Sequence, residues 1–206
     1  MKAILFDLFE TLVDYDEARS RAFTSAAAEL LGRDRDEFHS VWREGRPVRD
    51  TGPLAPYVAS LDLGDDAAAQ LIALRRETVR AVLIEPRAGV VDTLRELRRR
   101  GVKTGLITVC SEDTVDVWHE TPFAGLFDAE VFSCEVGMLK PDPRIYALAC
   151  DRLRIAPGNA LFVGDGANDE LAGAERAGMR AVMIGDPLES WSGARIDSIP
   201  EILQLI

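Results

Sequence analysis

Cysteine, histidine and lysine are all scarce in this chain of 206 residues, and each scarcity removes a class of chemistry. The three cysteines, Cys110, Cys134 and Cys150, form no C-x-x-C pair, so neither a disulfide framework nor a structural zinc site fits them. They read as small core residues of a protein kept in a reducing compartment. His39 and His119 are the only histidines. Neither falls beside a motif, and both read as packing or surface residues. Positive charge is in deficit: 24 basic residues face 35 acidic ones, for a net charge of −11. A surface that acidic repels nucleic acid and anionic membranes, so neither is an expected partner. No apolar run approaches the roughly 18 residues of a membrane span. The opening MKAILFDLFETL is interrupted by Asp7 and Glu10 and lacks a small-residue cleavage site, so it reads as a buried strand rather than a secretion signal. The expectation is a cytoplasmic protein, monomer or homodimer, whose partner is a small anionic substrate met by locally placed positive charge.

Lysine is the scarcest cation. Only Lys2, Lys103 and Lys140 interrupt a habit of arginine. A point-charge ammonium and a planar guanidinium are not interchangeable in a tight site, which singles out Lys140.

What is present is a regular alternation. KAILFD, at residues 2–7, is a short apolar run ending in an acid. A parallel strand reads this way when its C-terminal tip carries function. Residues 14–86 are rich in Ala, Arg, Asp and Glu, with helical periodicity over 16–32, 34–45 and 65–84 and a Gly/Pro loop at 45–56. From Pro86 onward, strands at 103–108, 128–133, 160–164 and 180–184 alternate with helices at 88–100, 111–119, 142–153 and 168–177. That pattern predicts βαβ units: an α/β, Rossmann-like, doubly wound parallel sheet. Right-handed crossovers place all the strand C-termini on one edge, where ligands bind.

Four features fall just past predicted strands: Asp7 in DLFET, Thr108 at the end of GLIT, Lys140 in GMLKPD, and Asp165 with Asp169 in GDGAND. Three carboxylates at one site need a cation to coexist, and oxygen-only ligation points to Mg²⁺. Lys140 can neutralise the nucleophile and an incoming anion, and Thr108 can donate a hydrogen bond to a phosphoryl or carboxylate oxygen. Asp7 in such a cage is an ionised carboxylate free to attack. Taken singly, each residue has a plainer reading as a helix cap, helix start or strand residue. The ordered set at four strand ends is what carries the functional one.

FDLFETL, LIT, LKPD and VGDGAND followed by GAERAGM resemble, in order, the four motifs of the haloacid dehalogenase superfamily. The resemblance covers nearly the whole chain. It implies a core of residues 1–13 and 87–206 and a helical cap of residues 14–86. It also implies covalent catalysis by Asp7, with Mg²⁺ held by Asp7, the Phe9 backbone carbonyl, Asp165 and Asp169, the last directly or through water. Below that level the motifs conflict. The family's phosphatases carry a second Asp as acid and base where this chain has Phe9, which can do neither. An acyl phosphate, with its good leaving group, suffers least from that loss.

The family's L-2-haloacid dehalogenases place an aromatic at the Phe9 position and a Trp-Arg pair in the cap, and Trp42-Arg43 is similar. Arg43 is on that basis a candidate substrate contact, against the plainer reading of a snorkelling surface arginine. Those dehalogenases have Asn where this chain has Val109, and their fourth motif is the metal-free type. The phosphonatase branch relies on a cap lysine, and no lysine lies between residues 3 and 102. Glu10 is expected to face away from Asp7 and Phe9, because successive residues of an extended segment point to opposite faces. Three readings follow: a Mg²⁺-dependent hydrolase of a small phosphorylated or acyl-phosphate metabolite, a 2-haloacid dehalogenase, and a ligand-binding homologue impaired in turnover.

Overall fold

The computed structural model describes residues 1–206. Strands β1 (Ala3–Phe6), β2 (Lys103–Thr108), β3 (Ala129–Phe132), β4 (Ala160–Gly164), β5 (Arg180–Ile184) and β6 (Ala194–Ile196) form a single sheet. Their spatial order is β3-β2-β1-β4-β5-β6, and every neighbouring pair runs parallel. The first strand is buried on both faces, so it needs no polar alternation and reads as a continuous apolar run. Ile4 and Phe6 enter a core of 26 buried residues on one face, while Ala3 and Leu5 enter one of 17 on the other. Helix α6 (Val90–Arg99) seals the first face with Val90, Leu94 and Leu97. Across the sheet, α9 (Pro143–Leu153) does the same with Ile145, Tyr146, Ala149 and Leu153. Both sets recur at helical spacing. The α/β class read from the strand-helix alternation is the class observed.

Strand order reverses at β1. The chain builds outward through β2 and β3, then returns to β1's other side with β4, β5 and β6. Such a switch point opens a crevice beyond the strand C-termini.

Between β1 and α6 the chain forms helices only: α1 (Glu17–Leu31), α2 (Arg35–Glu44), α3 (Arg46–Arg49), α4 (Leu54–Ala59) and α5 (Asp65–Leu83). Asp16 and Asp34 cap α1 and α2 through their carboxylates, and α1 stops at Gly32 in the left-handed region. These helices enclose a core of ten buried residues of their own, from Phe23 to Leu71, built around Trp42. Residues 45–56, expected as a loop, instead contain α3 and the start of α4. Pro47 sits in the first turn of α3 and Pro53 just before α4, positions where a missing amide hydrogen costs nothing. β6 was not anticipated: three residues behind a Gly/Ser stretch are too few for a periodic signal. No helix is long and apolar enough to cross a membrane.

Candidate active site

The three central strands deliver the site. Asp7 follows β1 directly, Thr108 is the last residue of β2, and Asp165 follows β4. Lys140 arrives from the turn between α8 (Ser133–Val136) and α9. Its ammonium donates to Asp7 Oδ1 and to Glu170 Oε2, with all three side chains buried. Carboxylate oxygens of Asp7, Asp165 and Glu170 lie within 4.8 Å of one another.

Glu170 is the member that sequence reasoning missed. Asp169, expected in its place, is exposed and stands outside the trio. The cause is local. Asn168 and Asp169 both adopt left-handed backbone angles, φ 53° and 57°, so the chain kinks before α10 (Glu170–Arg176) and turns Glu170 inward. Two glycines make room for it. A Cβ on Gly164 would stand 2.0 Å from Glu170 Oε1, so a larger residue there would push that carboxylate out of its place. Gly166, at φ 90°, donates its N–H to the same oxygen at 3.1 Å. The GDG run was the available signal: a glycine on each side of the acid marks a close approach.

The electrostatics follow from three carboxylates facing one ammonium in a buried space. Burial raises Asp7 above the usual carboxylate range; Lys140 opposes that shift and Asp165 adds to it. Burial likewise pushes Glu170 up to about 8, with Lys140 opposing and Asp7 reinforcing. For Lys140, burial opposes the charge, but Asp7 and Glu170 outweigh it and hold the ammonium protonated well above its ordinary range. Both carboxylate shifts point the same way: burial disfavours holding Asp7 and Glu170 ionised together unless further positive charge is supplied. An all-oxygen donor set with that deficit fits a hard divalent cation. Thr108 is fully buried, and its hydroxyl has no hydrogen-bond partner. A buried donor left free costs stability unless a ligand completes it.

A cavity of about 310 Å³ lies between this cluster and the helical segment. The core contributes Asp7, Phe9, Val109, Lys140, Asp165 and Glu170 to its walls. The helices contribute four arginines, Arg43, Arg46, Arg49 and Arg75, in a protein whose net charge is −11. Arg43, the sequence candidate, is exposed on the rim and pairs with no carboxylate. Its neighbour Trp42 is core, packed on Phe23, Phe38 and Tyr57. It is Arg49, not Arg43, that stacks over Trp42, at 4.5 Å. Arg49 and Arg46 share Asp50, and burial pushes the Arg49 guanidinium below its usual range. Arg75 forms a buried 2.9 Å ion pair with Asp113 and donates to the Tyr15 hydroxyl at 2.6 Å.

Glu10 does not follow the alternation expected of it. The segment turns after Phe9, and Glu10 sits at φ 58° on the cavity wall. Its carboxylate is occupied by the Tyr15 N–H and faces Arg87 at 3.4 Å. His39 is buried among the helices against Thr24, and His119 is exposed.

Residues 1–178 match the haloacid dehalogenase-like hydrolase family. The chain belongs to that family. Among curated relatives, it is 32% identical to a glyceraldehyde 3-phosphate phosphatase of Methanopyrus kandleri, over 89% of this chain and 84% of that one. It is also 32% identical to phosphoglycolate phosphatase 1 of Pseudomonas aeruginosa, over 89% of this chain and 69% of that one. In fold, this haloacid dehalogenase-like hydrolase is similar to a phosphatase of the same superfamily from Thermococcus onnurineus. The TM-score is 0.74 at 24% identity, covering 100% of this chain and 97% of the other. A 2-haloacid dehalogenase from Pseudomonas syringae matches as well, with a TM-score of 0.75 at 22% identity over 100% and 97%. Enzymes of both chemistries thus share the architecture, and the site must distinguish them.

Proposed function

We propose that this hydrolase is a Mg²⁺-dependent phosphatase that forms an aspartyl-phosphate at Asp7, on a small phosphorylated or acyl-phosphate metabolite. The observation that carries this reading is the Asp7–Asp165–Glu170 cluster with Lys140 inside it. The relatives named for phosphatases of small metabolites support the same substrate class. Asp7, Asp165 and Glu170 would hold the ion, with the Phe9 backbone carbonyl as a further oxygen and Asp169 at most through water. Bound there, Mg²⁺ would supply the positive charge that lets three acids ionise together beside a phosphoryl dianion.

The chain's own groups do the rest. Lys140 keeps Asp7 ionised and aimed, and meets the incoming phosphoryl charge. Asp7 attacks phosphorus as the bond to the leaving group breaks, and water then cleaves the aspartyl-phosphate. Thr108 offers its free hydroxyl to a phosphoryl oxygen. The helical segment closes over the site as a cap and excludes bulk water, in a cytoplasmic monomer or homodimer.

Incubation with acetyl phosphate and Mg²⁺ tests the reading. Wild type should release phosphate and carry an acid-stable aspartyl-phosphate, and Asp7→Asn should do neither. Absence of turnover on both acyl phosphates and phosphate esters refutes it. Phe9 favours one rival, displacement of halide from a 2-haloacid. Halide release from 2-chloropropionate that survives a chelator would establish that rival instead.

A further inference from the structure

Nothing at position 9 can assist the leaving group, yet the cavity contains a placed donor. We propose that the Tyr15 hydroxyl donates a hydrogen bond to the leaving-group oxygen, and that Arg75 is the positioning residue that orients it. This rests on the phosphatase reading above.

Three observations converge on Tyr15. First, its position suits the role. In an in-line displacement the leaving oxygen departs on the side of phosphorus opposite the nucleophile. Tyr15 lines the same cavity as Asp7 and is tied to the helical segment by the 2.6 Å bond from Arg75 on α5. The Tyr15 ring packs against Phe9, with centroids 5.5 Å apart, which keeps it beside the nucleophile's own turn.

Second, its proton is free. A guanidinium only donates, so in the Arg75–Tyr15 bond the phenolic oxygen is the acceptor. The hydroxyl proton finds no acceptor in the protein and is left for a ligand. Three neighbouring groups are spoken for: Glu10 is held by the Tyr15 N–H and faces Arg87, Ser111 donates to Asp113, and Lys140 is committed to Asp7 and Glu170. Thr108 is taken by the phosphoryl oxygen in the reading above, and Arg43, exposed at the rim, lacks the buried support that Tyr15 has.

Third, the support is rigid. Arg75 is buried, paired with Asp113 at 2.9 Å, and stacked on the rings of Tyr15 at 5.5 Å and Phe23 at 5.2 Å. A side chain locked in this way can hold a hydroxyl to the tolerance that transition-state hydrogen bonding needs.

The step balances without an added reagent. Asp7 bonds to phosphorus, and the leaving oxygen keeps the electron pair of the broken P–O bond while accepting the Tyr15 hydrogen bond. Water then cleaves the aspartyl-phosphate; one of its hydrogens ends on the released alcohol and the other stays with phosphate.

Tyr15→Phe removes only the hydroxyl and keeps both ring contacts. The experiment compares acetyl phosphate, 4-nitrophenyl phosphate, phenyl phosphate and glycerol phosphate, with a thermal melt of each variant. The expected result is a loss of about 100-fold in kcat for phenyl and glycerol phosphates. Acetyl phosphate, which departs as a stable carboxylate, stays nearly unchanged, and the melt hardly moves. Arg75→Met also strands the buried Asp113 and lowers the melt, so it is assayed well below its own Tm; there it should reproduce this selectivity, and combining the two should add little to it. A uniform loss across the four substrates, or no loss, overturns the assignment. If wild type cleaves acetyl phosphate but no ester, the Tyr15 role falls and the phosphatase reading stands. If it cleaves none of the four, both fall.

Discussion

Replacing Glu170 by Gln gives the sharpest test of the charge deficit at the site. Glu170 has an ordinary value of 4.5 and is pushed up to about 8, first by burial and then by Asp7. Between those two values the folded protein holds a proton that the unfolded chain has released. The stabilisation from that proton is complete below about 4.5 and is lost as pH rises through about 8. Within the window, stability falls by about 1.4 kcal/mol per pH unit. From pH 6 to pH 7.5 that is about 2 kcal/mol, and a chain of this length then loses about 4–8 °C in Tm. The assay is a pair of melts in EDTA at those two pH values. Glu170→Gln keeps a hydrogen-bonding side chain beside Lys140 but has nothing to titrate, so its melts should differ by several degrees less than those of wild type. Saturating Mg²⁺ should flatten the wild-type dependence, because the ion takes the proton's place, and binding below pH 8 should release a proton to a weakly buffered solution. Equal pH slopes in wild type and Glu170→Gln would refute the reasoning, as would Mg²⁺ stabilisation that is the same at both pH values.

Phe9→Asp should raise kcat for phosphate esters with poor leaving groups by about 10²–10⁴, the usual worth of acid–base assistance, while acetyl phosphate gains little. A variant that folds, binds Mg²⁺ and shows no ester-selective gain would mean that Phe9 does not stand where the leaving group departs. Arg75→Leu should cost about 3–5 kcal/mol in urea unfolding, because it strands Asp113, which is fully buried, without its counter-charge. Arg75→Leu combined with Asp113→Leu should recover most of that loss. If the single variant costs less than about 1 kcal/mol, the pair is not the buried tie between α5 and α7 (Glu112–Trp118).

Much of the fold was legible because both of its periodicities are strong. AILF, KTGLIT, ALFVG and RAVMI are buried runs of strand length separated by helices with one apolar face, and β2, β4 and β5 fall where the pattern placed them. The misses are short elements. α3 and α8 are four residues each and β6 three, too few for a period to register. At residues 45–56 Gly and Pro read as breakers, whereas Pro47 and Pro53 in fact begin helices. Composition cannot separate a proline that ends an element from one that starts it.

The site was legible only to the extent that strands position it. Asp7, Thr108 and Asp165 were placed by the strand ends, and their mutual proximity needs no more than the switch point at β1. Choosing Asp169 over Glu170 assumed a regular helix entry, an assumption broken by two consecutive left-handed residues that no side-chain pattern announces. The arginines were harder still. Arg46, Arg49 and Arg75 belong to three different stretches of helix surface, and any of them reads as solvated charge until the helices pack. Their convergence is a property of the α1–α5 assembly, with its separate core around Trp42, and not of any local run. The candidate nucleophile and its neighbours thus stand at strand termini that sequence can locate. The arginines that line the rest of the cavity are set by tertiary packing, which no single stretch of sequence reports.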